Sequence, residues 1–423
     1  MSKLYAAVAN ILGRSTLRSL RHRNFAMVEA ASWFTSGGVW FYRIGIQVLT
    51  WELTHSGFWL GVIAVAEAAP GIFLSPIAGA YADRYDRLVL ARIIQFSIMV
   101  VTALLAFATF SGWVDIWVLL VLAIGHGAAA GFWTPVRLAI VPNLVPKEDL
   151  ASAIALHSAL FNLARFLFPA LAAPVLTIWG AGMAFTVNAA GYLVYFAVLF
   201  FVVLVNPDER AERDSGILEN LKEGFTYATS HVPIKQLFLM LIFISVFLRA
   251  YMELLPGISE TIFLRAEEGV AILVSAAGLG AMVGSLLVGN VTRRETLLHI
   301  YFTSALTAVL SLVLFASTNV FWIGVAAAAL LAAAEIGTSI TAQVVVQSTV
   351  QGSLRGRVMS LWGVTNRSGP ALGAFVLGWI AVHAGFQLPL FLAAALTAGV
   401  GTHVWLQRRK MAAALEQQSQ SRL

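Results

Sequence analysis

Long apolar segments alternate with short polar segments along almost the entire chain. A helix that crosses the hydrocarbon core of a bilayer needs about 20 predominantly apolar residues. Twelve segments meet this length, and the tightest connection, within residues 111–115, separates the third from the fourth. The pattern therefore predicts an all-α membrane protein with twelve spans, at residues 24–50, 57–80, 88–112, 114–138, 150–178, 181–205, 234–258, 270–290, 295–317, 320–344, 356–381 and 385–407.

The composition agrees with a polytopic membrane protein and excludes several other classes. The chain is 59% hydrophobic and 11% charged, whereas soluble proteins are about 25% charged. It contains no cysteine, which excludes disulfides and thiolate metal sites. The sequence has no HExxH, GxSxG or Walker motif, so we predict no enzyme activity, no cofactor, no metal site and no ATP drive within this chain.

Basic residues are distributed as an orientation signal. All but five of the 27 lysines and arginines lie at the termini, in the loops after even-numbered spans or within a few residues of those loops. Because basic residues accumulate on the cytoplasmic side of membrane proteins, this predicts that both termini are cytoplasmic. It also accounts for the basic net charge without nucleic-acid binding.

The longest polar stretch divides the chain into two halves. Its second part, ILENLKEGFTYA, places Ile217, Leu218, Leu221, Phe225 and Ala228 on one helical face, which predicts a helix on the membrane surface. The predicted organisation is a cytoplasmic segment at 1–23, a six-helix bundle at 24–205, a linker at 206–233, a second six-helix bundle at 234–407 and a cytoplasmic tail at 408–423.

The two halves resemble each other. VPKEDLASAIALHSALFNLARFLFPAL at 145–171 and SLRGRVMSLWGVTNRSGPAL at 353–372 both begin in a charged turn and reach Pro-Ala-Leu within a helix. Two six-span repeats are typical of transporters that enclose a central site.

The charged turn GAYADRYDR resembles the signature between helices two and three of the major facilitator superfamily. RNF at 23–25, ELTHS at 52–56, SALFNLAR at 158–165 and LRGRVMSL at 354–361 are similar to its transmembrane secretion effector branch, which includes enterobactin exporters. The resemblance implies two six-helix bundles around a central cavity. It also implies a cytoplasmic latch in which Asp83 meets residues 355–357, with latch residues Gly79, Asp83, Arg84, Asp86 and Arg87.

The sequence departs from that superfamily at two places. Residues Ser36 to Trp40 stand where an acidic residue is often found in helix one, and Phe168 replaces the glycine of a Gly-Pro motif in helix five. The sequence therefore gives no support for a proton site in helix one. Glu335, surrounded by alanine, and Glu67 are the predicted proton-coupling residues, because burial away from polar partners favours the protonated carboxyl. Each could instead make a local hydrogen bond.

Polar groups inside spans are costly and usually face a cavity or a partner. In the superfamily plan, spans one, four, seven and ten line the cavity. Arg249 and Glu253, four residues apart, could pair on one α-helical face, and Arg165 and Arg367 could pair with Glu67 or Glu335. Glu29 is interpreted as interfacial. The predicted substrate-cavity residues are Trp40, Arg43, Gln47, His126, Arg165, Arg249, Glu253, Asn366 and Arg367.

These expectations combine into a proton-coupled exporter of a small amphipathic organic molecule, a siderophore or a drug, working by alternating access. The excess of arginine over nearby carboxylates favours an acidic or neutral substrate. An uncoupled facilitator, a flippase for a lipid-like substrate and a membrane scaffold remain alternatives. The expected setting is the inner membrane, with protons, substrate and lipid as partners; the chain is expected to be a monomer, and an outer-membrane channel is left open.

Overall fold

The computed structural model describes residues 17–140, 143–204, 217–288, 294–350, 352–411 and 413. Within these ranges the regular structure is helical. The α-helices are α1 Arg23–Thr54, α2 Gly57–Arg84, α3 Arg87–Phe110, α4 Ile116–Ile140, α5 Leu150–Val198, α6 Ile217–Ser230, α7 Val232–Phe243, α8 Leu255–Thr261, α9 Glu267–Val288, α10 Arg294–Ser317, α11 Phe321–Thr349, α12 Gly352–Ala384 and α13 Gln387–Leu406.

Every predicted span overlaps a helix, which confirms the all-α membrane class. In the described part of the chain, nine helices are long and apolar enough to cross a bilayer. One of them, α5, has 49 residues and is interrupted at Gly180, where φ is 72°; the sequence places the boundary between the fifth and sixth spans at this point. The number of twelve crossings stays a prediction.

The tight turn between α3 and α4 is built by one glycine and one aspartate. Gly112 has φ 71°, a conformation that favours glycine. Asp115 Oδ1 accepts hydrogen bonds from the backbone amides of Trp117 at 3.0 Å and Val118 at 2.8 Å. An aspartate at this position stabilises a helix start, so a few residues suffice for the whole connection.

Contacts divide the chain into two units. One contains Met1–Ile46 and Ala69–Arg213, and the other contains Gln47–Ala68 and Asp214–Leu423. The last turns of α1 and the first half of α2 therefore belong by contact to the second unit. The linker at 206–233 lies partly outside the described residues, so the predicted domain boundaries stay a prediction.

In the first unit, α1 packs along both parts of α5. Trp33 contacts Phe168 in the first part, with ring centroids 5.1 Å apart. In the second part, the Thr35 hydroxyl donates to the Gly191 carbonyl at 3.1 Å, and Gly38 lies against Asn188. Buried apolar side chains of α1, α3, α4 and α5 form the core of this unit, including Phe25, Ile98, Val136 and Tyr192.

In the second unit, glycine allows two close helix crossings. A methyl group on Gly280 or Gly284 of α9 would overlap the backbone of α11. A methyl group on Gly373 of α12 would overlap the carbonyl oxygen of Val246. Both pairs of helices use glycines four residues apart, a spacing that lets membrane helices approach closely; in α12 the second glycine is Gly369.

The seventh predicted span is not one regular helix. After α7 the chain forms a π-helical turn at Ile244–Leu248 and then a 3₁₀ segment at Arg249–Glu253, before α8 begins at Leu255. The predicted α-helical face shared by Arg249 and Glu253 is therefore wrong, because residues four apart do not align in a 3₁₀ helix.

Candidate functional site

The latch motif contains one residue with a defined structural role. Asp86 precedes α3, and its Oδ1 accepts hydrogen bonds from the backbone amides of Leu88 at 2.8 Å and Val89 at 3.0 Å. It is thus an N-cap residue, and its negative charge also favours the helix N-terminus. The side chains of Gly79, Asp83 and Arg84 lie outside the described structure, so the predicted latch stays a prediction.

Arg357, one of the predicted partners of the latch, has a carboxylate partner in its own unit. Its guanidinium forms an ion pair with Glu223 of α6, and its backbone carbonyl lies against Gly224. The linker helix predicted from the amphipathic pattern therefore exists as α6 and packs on α12.

Two hydrogen bonds bring predicted cavity residues of the second unit together. Arg249 donates to the side-chain oxygen of Asn366 at 2.9 Å. Gln47 donates from Nε2 to Glu253 Oε2 at 2.6 Å. In the 3₁₀ segment that follows the π turn, Arg249 is thus a donor and Glu253 an acceptor. Irregular helices of this kind often occur at functional sites. The structure gives Arg249 and Glu253 these amide partners.

A second polar group lies beyond the end of the first predicted span. The Trp51 indole donates to Glu260 Oε2 at 2.7 Å, and His55 lies 3.7 Å from Glu260 Oε1. Partial desolvation, followed by the charges of Glu267 and Glu260, raises the pKa of the Glu52 carboxyl. Because the Glu52 side chain is exposed, repulsion from the two neighbouring carboxylates contributes more to the raised pKa than desolvation does.

The first unit contains an ionisable cluster around a buried carboxylate, which the sequence did not reveal. Glu29 is 5% exposed, so its side chain is buried within the protein, while its position near the membrane surface stays a prediction. His157 Nδ1 lies 3.1 Å from Glu29 Oε1 and 3.2 Å from Oε2. On the other side of the ring, Arg137 of α4 hydrogen-bonds to His157 Nε2. The three side chains come from α1, α4 and α5, and we call them the Glu29–His157–Arg137 cluster.

A second histidine–carboxylate contact lies nearer the start of the same two helices. His22 Nε2 is 2.7 Å from Asp149 Oδ2, and Arg18 Nε is 2.6 Å from Asp149 Oδ1. From this contact to the buried cluster, α1 and α5 each advance by about two turns. The two helices run in the same direction here, so the spacing from His22 to Glu29 on one chain segment is similar to the spacing from Asp149 to His157 on the other. These similar spacings are the feature of the sequence that could have indicated both contacts.

The remaining predicted residues have separate surroundings. His126 is buried and stacks on Tyr42, with ring centroids 3.9 Å apart. The Arg43 guanidinium lies 5.7 Å from the centre of the buried Trp40 ring.

The other predicted ionisable residues differ in exposure. Glu335 is 9% exposed, whereas Arg367 is exposed and Glu67 and Arg165 are half-buried. In the described residues, no group of three or more His, Asp or Glu side chains could hold a metal ion.

Long apolar helices that carry ionisable groups indicate a multi-pass membrane protein with a functional site among its helices. The profile of the transmembrane secretion effector family (MFS_3) matches residues 14–423. The chain belongs to this family, which confirms the resemblance to the major facilitator superfamily. It is a membrane transporter and not an enzyme.

Three relatives share parts of the sequence. The staphyloferrin A transporter of Staphylococcus aureus (strain NCTC 8325 / PS 47) is 28% identical over 269 residues, which cover 63% of this chain and 67% of that protein. The enterobactin exporter EntS of Shigella boydii serotype 4 (strain Sb227) is 25% identical over 376 residues and 87% of each chain. Macrolide efflux protein A of Streptococcus pyogenes is 22% identical over 242 residues, 56% of this chain and 59% of that protein.

Solved structures support the fold. A bacterial homologue of the iron transporter ferroportin, crystallised in an inward-facing state, gives a TM-score of 0.72 at 15% sequence identity. The alignment covers 91% of this chain and 98% of that one. With many apolar helices and exporter relatives, the chain is a multi-pass protein of the inner membrane.

Proposed function

We propose that the protein exports a small amphipathic organic molecule of the siderophore class by proton-coupled alternating access. The observation that carries the proposal is the match of the exporter family over residues 14–423, together with relatives that are named as transporters of two siderophores. Macrolide efflux is the second candidate function, because a third relative is a macrolide efflux protein.

The bonds of the second unit support a polar substrate site. Arg249 and Glu253 are each held by an amide side chain, Asn366 and Gln47. Because Asn366 and Gln47 are neutral, a ligand can displace either amide without breaking an ion pair, whereas breaking a buried ion pair is strongly destabilising. We therefore propose these four residues as the polar part of the site. Trp40, Arg43, His126, Arg165 and Arg367 remain proposed cavity residues.

Glu335 and Glu67 remain the proposed proton-coupling residues, since both are carboxylates within predicted spans. Replacing the true carrier by glutamine should abolish accumulation of substrate against a gradient while leaving downhill exchange intact. The matched control is Glu148→Gln, since Glu148 is exposed. If both single variants still accumulate substrate against a gradient, neither residue is the sole carrier.

The substrate class is tested by exchange in proteoliposomes without an imposed gradient. Vesicles loaded with unlabelled enterobactin, staphyloferrin A or a macrolide are diluted into the corresponding labelled compound. We expect faster uptake than in empty liposomes for at least one siderophore, and a reduction in Arg249→Gln. Exchange of the macrolide without exchange of either siderophore would replace the first candidate by the second. An uncoupled facilitator or flippase would also exchange its substrate. The imposed pH gradient described in the Discussion distinguishes it from a proton-coupled exporter. A scaffold would exchange nothing.

A further inference from the structure

The contacts of the Glu29–His157–Arg137 cluster determine which nitrogen of His157 carries hydrogen. A carboxylate only accepts hydrogen bonds, and a guanidinium only donates them. Nδ1, which faces Glu29, must therefore carry the hydrogen and donate. Nε2, which receives the Arg137 N–H, must present a lone pair. The arrangement requires a neutral imidazole with one defined tautomer.

A proton can be added to this ring only at Nε2, and that position is already occupied by the hydrogen bond from Arg137. After protonation both nitrogens are donors, so the Arg137 N–H would face another N–H and another positive charge. The Glu29 carboxylate, in contrast, would gain a cationic partner. Protonation therefore strengthens the Glu29–His157 contact between α1 and α5 and breaks the Arg137–His157 hydrogen bond between α4 and α5.

The other polar and charged groups near the His157 ring take the place of neither Glu29 nor Arg137 as its hydrogen-bond partner. Tyr195, from the second part of α5, interacts electrostatically with Glu29 and Arg137 and hydrogen-bonds with Ser32. The contact of His22, Arg18 and Asp149 lies just before the starts of α1 and α5, about two turns away. Arg165 follows His157 on α5 by eight residues, also about two turns.

We propose that His157 is a proton-responsive switch. When its Nε2 takes up a proton, the hydrogen bond from Arg137 is lost, and this loss couples proton uptake to movement between α4 and α5. This inference rests on the proposed proton-coupled function and assigns the coupling to a cluster in the first unit, apart from Glu335 and Glu67. The His157 side chain is 20% exposed and its carboxylate partner 6%, so protons can reach the ring while the Glu29 carboxylate stays largely shielded from solvent.

The protonation state of His157 can be measured without transport. In the full-length protein in lipid bilayers, with ¹⁵N-labelled histidine, the His157 signals are those lost in His157→Gln. His299→Gln, which removes an exposed histidine of α10, identifies an ordinary ring as the control. We expect a protonated Nδ1 and a bare Nε2 at alkaline pH, and hydrogen on both nitrogens once the sample is acidified. An Nε2-protonated tautomer, or a ring whose state does not change on acidification while the protein stays folded, would overturn the proposal.

The coupling is tested with the same variant. Glutamine offers one donor and one acceptor, so it can bridge Glu29 and Arg137, but it cannot take up a proton. We expect His157→Gln to fold and to exchange enterobactin without a gradient at a rate close to wild type. Under a gradient of one pH unit, the wild type should accumulate enterobactin up to about tenfold, the limit for one exchanged proton. His157→Gln should accumulate none. Wild-type accumulation in this variant would also overturn the proposal. If the wild type itself accumulates none of the probes, the proposed coupled function fails, and the ¹⁵N titration still decides whether His157 takes up a proton.

Discussion

At the scale of single residues, the two aspartates of the charged turn have different functions in our account. Asp86 stabilises the start of α3 through two backbone hydrogen bonds. Asp83 is proposed as the latch residue on the basis of the family motif. The motif therefore combines a structural requirement of the helix with a proposed functional one, and substitutions can separate the two.

Replacing Asp86 by alanine should destabilise the protein. The loss of an N-cap costs about 1 kcal/mol, so the midpoint of thermal unfolding in detergent should fall. Asp86→Asn keeps the oxygen that accepts both bonds and should stay close to wild type. Equal losses in the two variants would show that the negative charge, and not the cap, is what matters.

Replacing Asp83 by asparagine should reduce transport and leave expression normal, because the family motif assigns this carboxylate to the latch. The measurement is the rate of siderophore exchange per folded protein, with the yield determined by size-exclusion chromatography. Exchange at the wild-type rate would remove the latch role.

The raised pKa of Glu52 predicts a dependence of stability on pH. The folded protein holds the Glu52 proton more tightly than the unfolded chain, so folding is favoured below the ordinary pKa near 4.5. This contribution is lost as the pH rises through the higher folded-state pKa. Thermal midpoints measured at increasing pH should therefore fall less in Glu52→Gln than in the wild type. Parallel curves for the two proteins would contradict the assignment.

The role of a single residue could be predicted from the sequence where its hydrogen-bond partner is a few residues away, but not where the partner is distant along the chain. Asp115 was expected within the tight turn, and the structure shows it capping α4. The role of Glu29 was missed because its partners, on α4 and α5, are more than 100 residues away along the chain. Distance from the predicted membrane surface could not show that this carboxylate is buried.

At the scale of elements, the close crossing of α12 with the π turn depends on Gly373. A methyl group there would overlap the Val246 carbonyl, whereas Gly363 of the same helix has no atom within 4 Å of that position. Gly373→Ala should therefore destabilise the protein by about 1–3 kcal/mol, as overpacking generally does. Gly363→Ala should be neutral or stabilising, because alanine favours helix more than glycine does. A thermal midpoint for Gly373→Ala at or above that of Gly363→Ala would contradict the crossing.

The irregular seventh span shows why an element can be located but not fully described from sequence. Proline disfavours helix interiors and is tolerated in the first turn, and α8 carries Pro256 in its first turn. The π turn before it has no breaker residue of its own. It coincides with the close approach of Gly369 and Gly373 from α12, so it depends on a tertiary contact that local periodicity cannot reveal.

At the scale of the whole molecule, the hydropathy pattern was sufficient for the helical class because every apolar segment must satisfy its backbone hydrogen bonds internally in lipid. The contact units were less predictable, since residues Gln47–Ala68 belong with the second unit although they lie in the first half of the sequence. Substrate class and coupling depend on small numbers of side chains and remain proposals.

The central claim is that proton movement drives export. Its most direct test is the accumulation of labelled enterobactin in proteoliposomes under an imposed gradient, acidic inside, so that protons leave the lumen as substrate enters. We predict accumulation above the external concentration that collapses when a protonophore is added. Equilibration to the external concentration, with or without the gradient, would contradict a coupled exporter and would identify the protein as a facilitator.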